Sequence, residues 1–301
     1  MTELRFDERV AVVTGAGNGL GRAHALELAR RGAMVVVNDL GGAVDGSGND
    51  TTAAQAVVDE IEAAGGLAVA NTDSVSTPAG GAAMVAQAVE EFGRIDIVVN
   101  NAGILRDKAF HNQTIESWQA VIDVHLTGAF NVTLPAYQLM REQGYGRIVM
   151  TSSPAGLYGN FGQTNYSSAK MGVVGFARAI KQEGERKGVR ANVIAPTAAT
   201  RMTEGLLGTL ADDSRPEHIT AVVGYLCHES CELNGEILAC AAGRVARAFV
   251  GVTPGFFDRN LSIDQVAANI DRIMDETGYS VPGGTMDEMR LIANDLKNHP
   301  A

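Results

Sequence analysis

No apolar run in the 301-residue chain approaches the ~18 residues that cross a bilayer, so no membrane partner is expected. The stretch Met1–Arg9 carries Glu3, Asp7 and Glu8, where a secretory signal would have a basic start and an apolar segment; this argues against export. Basic residues are scarce: 24 Lys and Arg against 35 Asp and Glu give a formal net charge of −11, with no Lys/Arg cluster. A nucleic-acid partner needs a basic face, so none is expected. Cysteine is rarer still. Cys227, Cys231 and Cys240 are too few and too close for a disulfide framework, and a reducing cytoplasm fits them. The segment Cys227-His-Glu-Ser-Cys231 lacks a second ligand pair at zinc-finger spacing, so we read no metal site there, only buried thiols on a helix.

What the chain has is an apolar fraction of 46%, normal for a globular core, in a length within reach of one large α/β domain. Short apolar runs alternate with amphipathic stretches. The predicted strands are Val10–Thr14, Met34–Asn38, Leu67–Ala70, Ile95–Asn100, Arg147–Thr151, Val189–Ile194 and Ile237–Cys240. Helical patterns such as Thr51–Ala64, Ala79–Phe92 and Ser167–Lys187 lie between them. Strands that are apolar throughout have both faces covered. Strict β/α alternation implies a parallel sheet with right-handed crossovers. The reading is therefore an α/β, Rossmann-like doubly wound sheet of about seven strands over residues 1–245. Residues 246–301 read as a helical extension packed on the same domain, with one helix capped by Ser262 and running through Met274 and another from Thr285 to about Lys297. The Gly- and Asp-rich stretch Gly41–Asp50 reads as an exposed loop after the second strand.

The first strand runs into Gly15-Ala-Gly17-Asn18-Gly19-Leu20-Gly21, and a helix follows. A helix start offers unpaired N–H groups and partial positive charge, and glycines let the backbone approach a pyrophosphate. The whole turn is thus a cofactor-binding candidate. Asp39 ends the second strand about 20 residues on, where an acid accepts hydrogen bonds from ribose hydroxyls and repels a 2′-phosphate. No Arg or Lys occurs from Met34 to Ile61 to offset it, so the expected cofactor is NAD. A turn cap is the structural alternative for Asp39.

Tyr166 and Lys170 stand four apart in a helical pattern and share one face. A phenol is a poor base at neutral pH, and a nearby ammonium favours its ionised form. Ser153 follows the strand Arg147–Thr151, at the carboxyl edge where ligands of such sheets bind.

Thr14-Gly-x-x-x-Gly-x-Gly21, Asn100-Asn-Ala-Gly103, Ser153 and Tyr166-x-x-x-Lys170, in this order, resemble the short-chain dehydrogenase/reductase family over roughly the first 240 residues. Segments such as Val36-Val-Asn-Asp-Leu-Gly-Gly42 and Tyr158-Gly-Asn-Phe-Gly-Gln163 are most similar to the (3R)-hydroxyacyl-CoA dehydrogenase domains of type 2 multifunctional enzymes. The resemblance implies Tyr166 as general acid/base, Lys170 as its activator and a ligand of the nicotinamide ribose, and Ser153 as the group orienting the substrate oxygen. It places Asp73 and Ser74 at the adenine, Asn100, Ala102 and Gly103 along the cofactor, and Pro196, Ala198 and Thr200 around the nicotinamide and diphosphate. Two departures stand out: His125 replaces the Asn whose backbone carbonyl is thought to hold a proton-relay water, and Thr197 follows Pro196 where many members have Gly. We count His125 with the catalytic candidates, a structural histidine being the alternative.

The implied reaction is interconversion of a secondary alcohol and a ketone. The first substrate class is a (3R)-hydroxyacyl-CoA, including one bearing a steroid side chain, with Arg106, Lys108 and Arg201 as candidates for the CoA phosphates. The alternatives are hydroxysteroid dehydrogenase and 3-oxoacyl-carrier-protein reductase. A non-catalytic NAD-binding sensor is the rival of another class, and Ser153, Tyr166 and Lys170 argue against it. The resemblance also implies a homo-oligomer built on residues 111–143 and on the helix of Tyr166 and Lys170.

Overall fold

Each apolar run becomes a strand, and parallel pairing brings all their carboxyl ends to one edge. The computed structural model describes residues 3–48, 50–199, 208 and 212–299. The strands are Val10–Thr14 (β1), Met34–Asn38 (β2), Leu67–Asn71 (β3), Ile97–Asn100 (β4), Gly146–Thr151 (β5), Val189–Thr197 (β6), Ile237–Ala241 (β7) and Arg244–Ala248 (β8). They form one sheet in the order β3-β2-β1-β4-β5-β6-β7-β8, parallel from β3 through β7. The order reverses direction at β1 and β4, the switch point where such sheets bind ligands.

The helices between them are Gly19–Arg30 (α1), Thr52–Ala63 (α2), Pro78–Phe92 (α3), Ile115–Ile122 (α4), Gly128–Gln143 (α5), Pro154–Tyr158 (α6), Thr164–Gly184 (α7) and Pro216–Cys227 (α8). Alternate strand residues Ala11, Val13, Val35, Val37 and Val99 bury against Leu28 of α1, Val57 and Ile61 of α2, and Ile219 and Leu226 of α8. Their neighbours Val12, Val36 and Val98 are buried as well, the opposite face being covered by α3, α5 and α7. This double coverage is why the strands read as unbroken apolar runs.

An eighth strand adds to the seven expected. Ala242 and Gly243, both at positive φ (45° and 79°), make a two-residue connection from β7 to β8. A link this short joins antiparallel neighbours. Of the three thiols only Cys227 lies on a helix; Cys231 follows α8 and Cys240 lies on β7, and all three are buried.

The chain divides into two compact units, Met1–Arg247 and Ala248–Ala301. The second holds Ile263–Ala268 (α9), Ile270–Met274 (α10) and Thr285–Asn298 (α11). Ser262 caps α9 in a full capping box with Gln265. The single helix expected up to Met274 is interrupted at Asn269, whose side chain donates to the Gln265 carbonyl at 2.8 Å and competes with the backbone ladder. Among the described residues no helix is long and apolar enough to cross a membrane.

Candidate active site

A cleft of about 790 Å³ runs along the carboxyl edge of the sheet. One wall is the turn between β1 and α1, where Gly15, Asn18, Gly19 and Leu20 face the cleft. Gly17 and Gly21 are not among the residues that line it. They make room instead. A methyl on Gly21 would run into the Gly15 carbonyl, and one on Gly17 would stand 2.9 Å from the Asp39 carboxylate. Gly15 itself needs its left-handed φ of +62°.

Asp39 lines the cleft and also braces it. Its carboxylate accepts hydrogen bonds from Gly17 N at 2.8 Å and Gly41 N at 2.7 Å. The turn-capping role is therefore real, and each oxygen keeps a second lone pair for a ribose hydroxyl. Asp73 and Ser74 line the far end beside β3, where Asn71 Nδ2 donates to Asp73 at 2.9 Å.

Asn100 departs from its expected place. Its buried side chain donates to Thr133 Oγ1 at 2.9 Å, tying β4 to α5 away from the cleft. The next residue does the work at the cofactor turn. Asn101 Nδ2 donates to the carbonyls of Thr14 (3.0 Å) and Gly15 (3.1 Å), while Thr14 Oγ1 accepts from the backbone N–H of Asn101 and Ala102. Sequence reasoning passed over Asn101; the doubled Asn of Asn-Asn-Ala-Gly was the available signal. Ala102, Gly103, Pro196 and Ala198 line the cleft as expected, with Thr197 between them. Thr200 and Arg201 lie outside the described residues.

Ser153, Tyr166 and Lys170 meet at the other end. Ser153 follows β5 and starts α6, its Oγ accepting from Ala155 N at 3.2 Å. Burial raises the Tyr166 phenol to about 12; the nearby Ser153 hydroxyl works against the rise and the Asp107 carboxylate adds to it. Lys170 is buried, donates through Nζ to the Thr151 carbonyl at 2.6 Å and lies 5.5 Å from the centre of the Tyr166 ring. Burial brings its ammonium down to about 7. The expected lowering of the Tyr166 phenol by Lys170 is not found; burial sets its direction upward.

His125 sits in a π-helical turn, Asp123–Thr127, between α4 and α5, and its ring stands edge-on to Tyr166 with centroids 5.1 Å apart. Its Nε2 lies 2.8 Å from the Ile104 carbonyl oxygen and 3.0 Å from Ile104 N, and serves one or the other according to tautomer. Burial, aided by the Lys170 charge, keeps the imidazole neutral, and its buried Nδ1 has no hydrogen-bond partner among the described residues. Gly103 is fixed by this ring, since a methyl there would overlap it.

Two further groups were not read from the sequence. Gln163 is buried, lines the cleft and is held between Asp107 (2.7 Å) and Asn160 (2.9 Å). Gly42, Ala43, Val44 and Gly46 of the loop after β2 also line the cleft. Arg106 lines it as well, whereas Lys108 joins Gly162 through its backbone and stays off the cleft. A helix start cleared of side chains, an acid at the end of β2 and a buried Tyr-Lys pair fit a dinucleotide stretched along the edge with its reactive end at Tyr166.

The chain is 55% identical over 242 residues to the peroxisomal multifunctional enzyme type 2 of Drosophila melanogaster, an alignment covering 80% of this chain and 40% of that protein. It is 41% identical over 276 residues to a hydroxyacyl-CoA dehydrogenase of Mycobacterium tuberculosis, covering 85% and 83% of the two chains. The solved structure of the full-length Drosophila enzyme superposes with a TM-score of 0.83 at 41% identity, over 98% of this chain and 50% of that one. The chain thus spans well under two thirds of the length of its multifunctional relative. A family model described as short chain dehydrogenase matches residues 9–209, a span that holds the glycine turn, Ser153, Tyr166 and Lys170. On that match and this geometry, the chain belongs to the short-chain dehydrogenase/reductase family of oxidoreductases, whose fold binds a nicotinamide cofactor.

Proposed function

We propose that the chain interconverts a (3R)-hydroxyacyl-CoA and its 3-oxoacyl-CoA with NAD as the redox partner. The observation that carries this reading is the meeting of Ser153, Tyr166 and Lys170 at one end of a cleft whose other end is a glycine cradle braced by Asp39. The nicotinamide, when bound, exchanges hydride with the substrate carbon. The protein's part is proton placement. Ser153 Oγ and the Tyr166 phenol line the same end of the cleft and can receive a hydroxyl or carbonyl oxygen; in ketone reduction the phenol gives its proton to the carbonyl oxygen, and in alcohol oxidation the ionised phenolate takes the hydroxyl proton. Lys170 holds the carbonyl end of β5 and brings positive charge to this wall of the cleft when protonated.

Apolar residues Ala120, Val124 and Ala155 line the cleft and suit an acyl chain, with Arg106 available to a CoA phosphate. The name of the mycobacterial relative supports the same substrate class. Preference for NAD rests on the Asp39 carboxylate and on the absence of Lys and Arg from Met34 to Ile61. Buried free thiols suit a reducing compartment, and we read the location as cytoplasmic; the fly relative's name calls that protein peroxisomal. We also propose a two-fold dimer through α5 and α7.

Turnover followed by reduced-nicotinamide absorbance, with (3R)- and (3S)-hydroxyacyl-CoA, a hydroxysteroid and an acyl-carrier-protein thioester, tests the reading. The (3R)-acyl-CoA should give the highest kcat/KM, with NAD ahead of NADP by about tenfold or more, a difference of ~1.4 kcal/mol. Tyr166→Phe should lose about 10²–10⁴-fold in kcat while still binding NADH. A hydroxysteroid or carrier-protein substrate ahead of the acyl-CoA, or equal use of NAD and NADP, would overturn the corresponding half of the proposal.

A further inference from the structure

The loop after β2 is a strap rather than a free surface loop. It leaves the carboxyl end of β2 and bonds to the segment that follows β4: Leu105 N donates to the Val44 carbonyl at 2.9 Å, and Arg106 Nε to the Asp45 carbonyl at 3.0 Å. In the sheet β1 lies between β2 and β4. A chain that starts over β2 and is tied down beyond β4 must cross the end of β1, where the glycine turn begins. The cleft is bounded on one side by Gly15, Asn18 and Gly19 of that turn and on the other by Ala43, Val44 and Gly46 of the strap.

The strap is built to hold its shape. Ala43 N donates to the Ser47 carbonyl at 2.8 Å, Gly46 N to the Ala43 carbonyl at 2.9 Å, and the Asp45 carboxylate accepts from Ser47 N and Oγ at 2.9 and 2.6 Å. Gly46 takes a φ of +85°, and a methyl there would press on Ile104 at 3.2 Å. At the β2 end the strap is anchored by Asp39, which bonds Gly41 N with one oxygen and Gly17 N with the other. One carboxylate therefore joins the floor of the cradle to the base of the strap. Among the described residues the hydrogen bonds that anchor the far side are two, each worth about 0.5–1.5 kcal/mol net, so the far end can open while the Asp39 end stays hinged.

We propose that residues 41–48 form a roof over the diphosphate and adenosine part of the dinucleotide site, and that breaking the contacts of Val44 and Asp45 with residues 105 and 106 controls how fast the cofactor enters and leaves. This rests on the cofactor reading above. A dinucleotide lying between the turn and the strap has protein on two sides, so lifting of the far end widens its way out. Closure over a bound reactant is a common limit on turnover, since product release then waits for opening.

The test uses the full chain and NADH fluorescence in stopped flow. Val44 and Leu105 are neighbours across a backbone hydrogen bond, within the reach of a disulfide. Val44→Cys with Leu105→Cys gives a lock that oxidation closes and dithiothreitol opens, and the three native thiols are buried. NADH bound before oxidation should leave the locked protein at least about tenfold more slowly than it leaves the reduced one, with reduction restoring the rate. Arg106→Ala should act in the opposite sense and speed release about threefold to tenfold, the value of one lost hydrogen bond. Equal release rates from the locked and reduced forms would overturn the proposal even with NADH bound normally. No NADH binding by the unmodified chain would instead overturn the cofactor reading, and the strap proposal with it.

Discussion

Lys170 shows what the site costs the fold. Its side chain is buried, its one acceptor among the described residues is the Thr151 carbonyl, and burial brings its ammonium from 10.5 to about 7. In the unfolded chain the same ammonium stays protonated up to about 10.4. Between pH 7 and pH 10 the unfolded state therefore binds the extra proton, and stability rises with pH across that window. Below pH 7 the folded state carries the buried charge at its full cost, on the order of 4–5 kcal/mol. Lys170→Met removes that cost but leaves the Thr151 carbonyl without its donor, a loss of about 1–3 kcal/mol. We expect Lys170→Met to be inactive yet to melt about 2–4 °C higher than the parent at pH 6, with the gain fading toward pH 9. Thermal denaturation of both proteins at the two pH values checks this, and a lower melting temperature at pH 6 would contradict it. At this scale the sequence was legible where spacing carries the meaning. Tyr166 and Lys170 four apart on a helix, and Ser153 just past a strand, all arrive where expected. Asn100 and Asn101 were not separable by that means. They are the same residue type one position apart, and only the strand end decides that the first turns inward to Thr133 while the second reaches Thr14 and Gly15. Nor does residue order show that burial would raise the Tyr166 phenol to about 12 beside a lysine.

The turn between β1 and α1 has its shape from its own glycines and its stiffness from elsewhere. Asn101, beyond β4, supplies two of the bonds that hold it through the Thr14 and Gly15 carbonyls. Asn101→Ala keeps the fold of the strands but frees the turn, so its N–H groups no longer wait in place for a diphosphate. The expected outcome is a rise of about tenfold in the NADH dissociation constant, part of the ~1–3 kcal/mol that two hydrogen bonds represent, with kcat at saturating cofactor changed far less. A fluorescence titration measures it, and an unchanged dissociation constant would remove Asn101 from the cofactor site. The strands of the sheet were legible because burial on both faces leaves an unbroken apolar run, as in Val10–Thr14. β8 was not: Arg244-Val-Ala-Arg-Ala248 is short and largely exposed, and its pairing depends on left-handed φ at Ala242, which composition does not reveal. The strap escaped for a related reason. Gly41–Asp50 has the composition of a surface turn, and its function comes from two long-range bonds to Leu105 and Arg106 that local sequence cannot indicate.

Over the whole molecule, the helices facing β4 to β6 leave one apolar strip uncovered in the isolated chain. On α7 the exposed positions Met171, Gly175 and Ala179 recur every four residues along a helix whose other face packs on β6. On α5 the exposed positions Phe130 and Leu134 do the same, 48% and 42% accessible. Phe130 and Phe176 rings, 6.3 Å apart, join the two helices, so the exposed residues make one surface rather than two. Gly175 adds no side chain there and a methyl on it would meet nothing, which leaves a flat place for a helix to approach. Gly172 faces inward instead: a methyl added there would stand 2.9 Å from Leu126. A contiguous apolar patch is what a contact site presents, and self-association through one patch would give a closed two-fold pair. Light scattering at micromolar concentration should therefore report at least twice the chain mass of 31.6 kDa. Phe130→Asp combined with Met171→Asp should return the mass toward that of one chain while circular dichroism stays unchanged, since both side chains reach solvent in the single chain and neither holds up the core. The parent chain at 31.6 kDa across the concentration range, or a doubly substituted chain that keeps the parent's mass, would reject α5 and α7 as the contact.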